Sequence, residues 1–540
     1  MMQASKNWWR GGVIYQIYPR SFADSNHDGI GDLPGIVEKL PYIASLGVDA
    51  IWISPFFKSP MKDFGYDVSD YCDVDPLFGT LADFDVLIAK AHELGLKVVI
   101  DQVLSHTADQ HPWFKECRQS RDNPKADWYV WAEANADGTP PTNWLSVFGG
   151  SAWQWDARRK QYYLHNFLQS QPDLNFHHPE VQDAILGTIR FWLERGVDGF
   201  RFDACNFHFH DRQLRNNPPA SHRDSTTVSA DNPYGFQRHL YDKTQPENLA
   251  FLKRVRGLLD EFGAASVGEV GDDDSLAVMA AYTNGGDKLH MAYSFNLLTQ
   301  DGSPAYIRQQ VEALEAQIGD GWGCWSIGNH DVQRVLTRWG KGETNPQLAK
   351  MWLAMETSLR GSVCLYQGEE LALTEADIPF EQLQDPYGIA FWPEFKGRDG
   401  CRTPMPWQHD ADHGGFSSAT PWLPVPSVHR ERAVDVQEAD PASVLHFFRA
   451  FLAWRKTQPL LLDSQIRFVD TQAEVLAFER FEGEQSMFAC FNFSGQTQQV
   501  ALPVDHQVTL IVGHGFDSTL NGSTIELPAY SAFYGHLTRA

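Results

Sequence analysis

Strand–helix alternation predicts a (β/α)8 TIM barrel with a small domain inserted after strand three and an all-β sandwich at the C-terminus. Three observations carry this expectation. Short apolar runs of strand length recur near residues 13, 50, 97, 199, 266, 291, 324 and 362, with helical stretches between them. The alternation breaks once, from Leu104 to Asn175, where Trp, Pro, Gly and Asn crowd the chain. After Pro459 helical periodicity gives way to two-residue alternation.

The elements follow in order. Val13–Tyr18 reads as a strand, then a helix around Gly35–Leu46, then a strand at Asp49–Ser54. A long loop from Pro55 to about Thr80 precedes a helix at Leu81–Leu94 and the strand Lys97–Asp101. Within the insert, Gln161–Leu164 is strand-like. A helix over Glu180–Arg195 leads into Asp198–Ala204, and one over Pro246–Phe262 leads into Ala265–Val270. Further strands are expected at Met291–Phe295, Cys324–Ile327 and Ser362–Tyr366, with helices at Ala305–Ile318, Leu348–Leu359 and Ser443–Arg455. The C-terminal domain is expected to hold strands Gln465–Val469, Val475–Phe481, Ser486–Phe493, Gln496–Leu502 and Val508–Val512. The domains therefore divide as barrel 1–103, insert 104–175, barrel 176–460 and C-terminal β domain 461–540.

Composition narrows the partners. A net charge of −25 opposes a nucleic-acid or anionic-membrane partner. Aromatic residues at 13%, with 18 Trp, suit large cores and also stacking faces for sugar rings. The seven cysteines are odd in number and lack CxxC spacing, which opposes a disulfide framework or a zinc site. The first ten residues lack a signal-peptide h-region, and no segment has the length of a membrane span. The expectation is a reduced, cytoplasmic protein.

Chemistry concentrates at the strand ends. Strand three ends in Asp101, followed by His106; strand four carries Arg201 and Asp203; strand five ends in Glu269; strand seven is followed by Asn329-His-Asp331. In a (β/α)8 barrel these ends share one rim. Arg201 and Asp203 alone could form a structural buried pair, and each acid alone could be solvated. Three acids converging with His and Arg point elsewhere. Like charges in one cleft raise some of their pKa values, so one carboxyl can stay protonated while another is ionised. Retaining glycoside hydrolysis needs such a pair.

The motifs Asp101-Gln-Val-Leu-Ser-His106, Gln171-Pro-Asp-Leu-Asn175, Gly199-Phe-Arg-Phe-Asp203, Val267-Gly-Glu269 and Asn329-His-Asp331 resemble those of glycoside hydrolase family 13, the α-amylase family, in the same order. The resemblance implies Asp203 as nucleophile, Glu269 as general acid/base and Asp331 as transition-state stabiliser. It implies that Arg201 keeps Asp203 ionised and that His106 and His330 hydrogen-bond the sugar. Tyr15-Gln-Ile-Tyr-Pro-Arg-Ser-Phe22, Asp63-Phe-Gly-Tyr-Asp-Val-Ser-Asp-Tyr71 and Gly397-Arg-Asp-Gly-Cys-Arg-Thr-Pro-Met-Pro-Trp407 resemble the α-glucosidase and oligo-1,6-glucosidase branch. In that branch Asp63 and Arg398 or Arg402 clamp the non-reducing glucose. Tyr66 and Phe167 then offer stacking faces. Phe148 lines the entrance or packs in the core.

Ala204 follows the implied nucleophile. In the branch this position is Val in enzymes preferring α-1,6 bonds and Ala or Thr in those preferring α-1,4. The expectation is an exo-acting α-glucosidase on short α-1,4-linked, maltose-like or sucrose-like substrates, with transfer to acceptor alcohols or sugars. An oligo-1,6-glucosidase, a sucrose isomerase or a trehalose-forming relative stays open, as does an inactive transporter-associated relative. The chain departs from the amylases at Ser105, where they have a calcium-binding Asn, so that ion is not expected. Asp24-Ser-Asn-His-Asp-Gly-Ile-Gly-Asp32 instead resembles the first part of an EF-hand loop. Side chains of Asp24, Asn26, Asp28 and Asp32 with the Ile30 carbonyl are candidate ligands for structural Ca2+ or Mg2+; an Asp/Gly-rich turn is the plainer alternative.

Overall fold

Eight parallel strands form the barrel in the computed structural model, which describes residues 7–221, 228, 231–502 and 506–539. They are β1 (Val13–Ile17), β2 (Ala50–Ile53), β3 (Lys97–Gln102), β4 (Gly199–Phe202), β5 (Ala265–Val270), β6 (Met291–Ser294), β7 (Cys324–Trp325) and β8 (Ser362–Tyr366). Their order round the sheet is β6-β5-β4-β3-β2-β1-β8-β7. One bridge, Ala292 to Gly323, joins β6 to β7. Every residue of β1, β2, β4 and β5 is buried, as expected of parallel strands covered on both faces. Ile14, Trp52, Val99, Val267, Tyr293 and Trp322 pack together within the barrel.

Helices follow the strands. Asp32 caps α1 (Leu33–Ser45), accepting from the Gly35 amide at 2.7 Å. Thr80 and Asp83 form a capping box on α2 (Leu81–Glu93). Pro179 opens α3 (Pro179–Glu194), and Gly263, at φ 64°, ends α4 (Asn248–Phe262) in the left-handed conformation glycine adopts freely. The longer helices after these are α5 (Ser275–Thr283), α6 (Pro304–Ile318), α7 (Pro346–Glu356) and α8 (Val444–Arg455).

Two expectations need correction. The loop from 55 to 80 contains a short antiparallel pair, Phe57–Lys58 with Asp70–Val74. A two-residue strand is too short to show periodicity. The C-terminal domain has more strands than expected, with Thr519–Asn521, Thr524–Leu527 and Ala532–Arg539 added. The last of these lies at the interior of a five-stranded antiparallel sheet, between Gln485–Asn492 and His506–Leu510. A three-stranded sheet completes the domain, over a core that includes Val475, Phe488, Cys490, Ile525 and Phe533. The inserted stretch carries a three-stranded sheet, Trp131–Ala132, Gln161–Leu164 and Trp153–Asp156, packed on Val130, Trp144 and Trp153. All seven thiols are free. No helix among the described residues is long and apolar enough to cross a membrane.

Candidate active site

Arg201 is the hub. It projects from β4, is fully buried, and bonds groups from three other strands and Asp203 just beyond its own. Its Nη1 donates to Asp203 Oδ1 at 2.6 Å and to Asp101 Oδ1 at 3.0 Å. Its Nη2 donates to Glu269 Oε1 at 2.5 Å and to the Tyr293 hydroxyl at 2.7 Å. Parallel pairing sets this up, since β4 lies between β3 and β5, placing Asp101 opposite Arg201 in register. The Asp203 amide extends the pairing by donating to Gln102 O.

Exposure separates scaffold from working face. The Arg201 and Asp101 side chains are 0% exposed, whereas those of Glu269, Asp203 and Asp331 are 8%, 12% and 21% exposed. The three acids face the opening above a buried guanidinium. Burial pushes Asp203 up to about 7, against the pull of Arg201, with Asp101 and Asp331 adding to the rise. Burial pushes Glu269 up to about 8, again opposed by Arg201 and raised further by Asp203 and Asp331. Both carboxyls are thus raised by burial and by neighbouring carboxylates, so the ionisation of one opposes that of the other. Such crowding permits one acid and one carboxylate in a single site.

Asp331 behaves differently. Burial opposes its charge, but neighbouring His330, Arg398, Arg402 and Arg201 hold its carboxyl well below the usual range. Burial pushes His330 itself down to about 3, so at neutral pH the guanidiniums supply that stabilisation. Arg402 Nη2 and Arg398 Nη1 reach Asp331 Oδ1 at 3.0 and 3.3 Å. Arg398 Nη2 also donates to Asp63 Oδ1 at 3.0 Å, so both candidate arginines belong to the site and Arg398 is the one paired with Asp63. Gln171 Nε2 donates to the other Asp63 oxygen at 3.0 Å.

The remaining expected residues gather here too. The Tyr66 ring stacks on His330 at 5.3 Å, and its hydroxyl lies 2.6 Å from His330 Nε2. His106 Nε2 lies 2.9 Å from Tyr66 O, and burial pushes this imidazole down to about 4. Phe167 packs against His106, Phe148 and Phe207. Phe148 touches Arg398 as well, with the guanidinium carbon 5.1 Å from the ring centroid. Ala204 has φ 41°, and its amide donates to Glu269 Oε2 at 3.0 Å.

Two groups escaped the sequence reading. Tyr293 sits on β6 among the inward residues, where strand-by-strand bookkeeping of barrel interiors would have found it. Asp385 accepts from Arg398 Nη2 at 2.8 Å and from Nε at 3.0 Å. It caps the short helix Pro386–Phe391, accepting from the Tyr387 amide, so Asp385-Pro386 reads in sequence as a helix start and not as a site residue.

The loop from Asp24 to Asp32 lies apart from these residues in the contacts it makes. Asp24 accepts the amides of His27 and Gly29 at 2.8 Å, Asn26 accepts Asp28 N at 3.0 Å, and Asp28 accepts Ile30 N at 2.9 Å. Asp32 accepts from Ser25 as well as capping α1. Each oxygen can accept more than one bond, and hard oxygens match the preference of Ca2+ and Mg2+. Among the described residues no three His, Cys, Asp or Glu side chains are grouped to hold a metal ion, and these carboxylates accept amides of their own loop.

With this geometry in view, the comparisons with known proteins define the class. The family model of the α-amylase catalytic domain matches residues 16–464, and that of the α-amylase SusG C-terminal domain matches residues 475–533. The chain belongs to the α-amylase family of glycoside hydrolases, in its α-glucosidase and oligo-1,6-glucosidase branch. It is 58% identical to a probable α-glucosidase of Rhizobium meliloti, over 99% of this chain and 98% of the relative. It is 35% identical to an oligo-1,6-glucosidase of Parageobacillus thermoglucosidasius, over 92% of each. The crystal structure of an α-glucosyl transfer enzyme, XgtA, superposes with a TM-score of 0.96 at 59% identity, covering 98% of this chain and 99% of that one.

Proposed function

We propose that the protein is an exo-acting, retaining α-glucosidase. It removes the non-reducing terminal glucose from short α-1,4-linked substrates and passes some of it to alcohols or sugars. The observation that carries this reading is one buried guanidinium holding both Asp203 and Glu269, with Asp331 anchored beside them by two further arginines. Asp203 attacks the anomeric carbon while Glu269 protonates the leaving oxygen, and Glu269 then takes a proton from the incoming water or alcohol. Asp331 stays ionised and opposes the developing positive charge on the sugar. His106 and His330, neutral at pH 7, offer hydrogen bonds without adding charge. Arg398, braced by Asp385 and paired with Asp63, closes the far end of the pocket on the terminal glucose, which supports exo action. Tyr66 and Phe167 give the sugar apolar contact, and Phe148 stands at the entrance.

Transfer rests on the same site, since an alcohol can replace water at the second step. The similarity to an α-glucosyl transfer enzyme supports it. The similarity to an oligo-1,6-glucosidase keeps an α-1,6 preference as the second reading. We place a structural Ca2+ or Mg2+ on Asp24, Asn26, Asp28, Asp32 and the Ile30 carbonyl, where it would brace the loop ahead of α1. The reading includes a cytoplasmic location.

The assignment is tested with p-nitrophenyl α-glucoside. Asp203→Asn is expected to lose roughly 10³-fold or more in kcat, equivalent to about 4 kcal/mol of barrier. Turnover that survives the substitution would reject Asp203 as nucleophile.

A further inference from the structure

Tyr293 occupies a position that no part of the mechanism above uses. It is 1% exposed, on β6, beside the Glu269 carboxyl and beneath the site opening. Its hydroxyl makes three polar contacts: Arg201 Nε at 3.1 Å, Arg201 Nη2 at 2.7 Å and Glu269 Oε1 at 3.1 Å. A phenol has one proton to give and lone pairs to receive. Both guanidinium contacts are N–H groups that can only donate. The phenolic oxygen accepts them, so its single proton is directed at Glu269 Oε1.

This count fixes the state of the carboxyl. Oε1 receives two donors, Arg201 Nη2 at 2.5 Å and the Tyr293 hydroxyl. A proton on Oε1 would face both of them. Oε2 receives one, the Ala204 amide at 3.0 Å, and keeps a lone-pair position free. Asymmetric donation of this kind makes one carboxyl oxygen the permanent acceptor and the other the proton carrier.

We propose that Tyr293 is a positioning residue that confines the exchangeable proton of Glu269 to Oε2 and sets the pH at which that proton is lost. The inference deepens the glucosidase reading and rests on Glu269 being the acid/base. In the first step the Oε2 proton passes to the glycosidic oxygen. The bond from that oxygen to the anomeric carbon breaks with its electron pair on the leaving oxygen, while an Asp203 oxygen bonds the carbon. In the second step the oxygen of water or an alcohol bonds the carbon. As it does so the Asp203 bond breaks with its pair returning to the carboxylate, and the acceptor proton goes to Oε2. Throughout, Tyr293 keeps its own proton, because burial and the neighbouring carboxylate push its ionisation far above the ordinary phenol range, against the pull of Arg201.

The sign of its effect is fixed. Donation to a carboxylate favours the charged form, so Tyr293 lowers the Glu269 pKa relative to a site without the hydroxyl. In Tyr293→Phe the basic limb of the kcat/KM profile on maltose is expected to move up by roughly one pH unit, the worth of one hydrogen bond to a charged group. Site-specific 3-fluorotyrosine in place of Tyr293 is a stronger donor and should move the limb down. Opposite shifts are the signature of proton positioning; a merely structural role would lower activity without moving the limb. An unmoved limb, or movement in one direction for both variants, overturns the proposal. If the phenylalanine variant fails to fold, the fluorotyrosine shift decides alone. Glu269→Gln separates the two layers: it should abolish the basic limb, and a limb that persists there rejects Glu269 as the acid.

Discussion

Ala204, at φ 41°, stands in the left-handed region directly after Asp203, with its amide on Glu269 Oε2. A β-branched side chain is poorly tolerated at positive φ, whereas alanine pays less for it. The residue whose amide reaches Glu269 is thus also the position expected to set linkage preference, and alanine holds this turn with less strain than Val would. Hydrolysis of maltose is expected to outrun hydrolysis of isomaltose, as steady-state kinetics on the two sugars will show; faster isomaltose cleavage would favour the second reading. The pH profile belongs to this scale too. The active free enzyme has Asp203 ionised and Glu269 protonated. With the two groups pushed up to about 7 and about 8, kcat/KM should follow a narrow bell. Activity should fall on the acid side as Asp203 takes a proton and on the alkaline side as Glu269 loses one, with the maximum between them. A broad plateau reaching below pH 5 would contradict the crowding of carboxyls around Arg201.

At the scale of elements, the loop before α1 ties distant parts of the chain together. Gly29, at φ 93°, lies so close to Thr420 that an added Cβ would sit 2.2 Å from its carbonyl oxygen, and the Trp422 amide donates to Gly29 O at 3.0 Å. A cation on this loop would lock the β1–α1 connection to the segment near residue 420. Exhaustive chelation is expected to lower the melting temperature by several degrees and to release stoichiometric metal; an unchanged melt and a metal-free digest would remove the ion. The same scale shows what could be read from sequence. The barrel strands and main helices were legible because apolar runs and helical spacing repeat, Asp203 and Glu269 because they stand at strand ends, and Asp331 because its Asn329-His-Asp motif follows a strand. Asp385 was not, since its sequence context is that of a helix cap and it reaches Arg398 only through the tertiary fold. Thr519–Asn521 and Thr524–Leu527 are joined by the two residues Gly522-Ser523, a hairpin turn with Gly522 at φ 63°, whose short flanking strands give little periodicity. The final strand, Ala532–Arg539, is harder, because Gly535 in its interior weakens the pattern.

Across the whole molecule, the C-terminal domain is fastened to the barrel by the buried Arg480, whose Nη1 donates to Ser358 O at 2.8 Å and Leu359 O at 3.0 Å, just after α7. Within the barrel, Arg455 at the end of α8 reaches Gly11 O at 2.9 Å, just before β1. These contacts stiffen the β8–β1 side. Two strand boundaries away the barrel is held less firmly, because β7 has two residues and meets β6 at one bridge. The barrel thus resembles a cylinder with one lightly stitched seam, and Tyr293 lies next to the stitch at Ala292. On warming, the seam should part before the rest of the wall. Amides of Met291–Ser294 and Cys324–Trp325 are expected to exchange with deuterium faster than those of β1 and β2, and activity to fall at a lower temperature than the far-UV signal. Equal protection around the ring would instead show that side-chain packing of Trp322 and Tyr293 seals the gap. If the seam does open first, heat disarms this enzyme by loosening the hold on one proton while the barrel still stands.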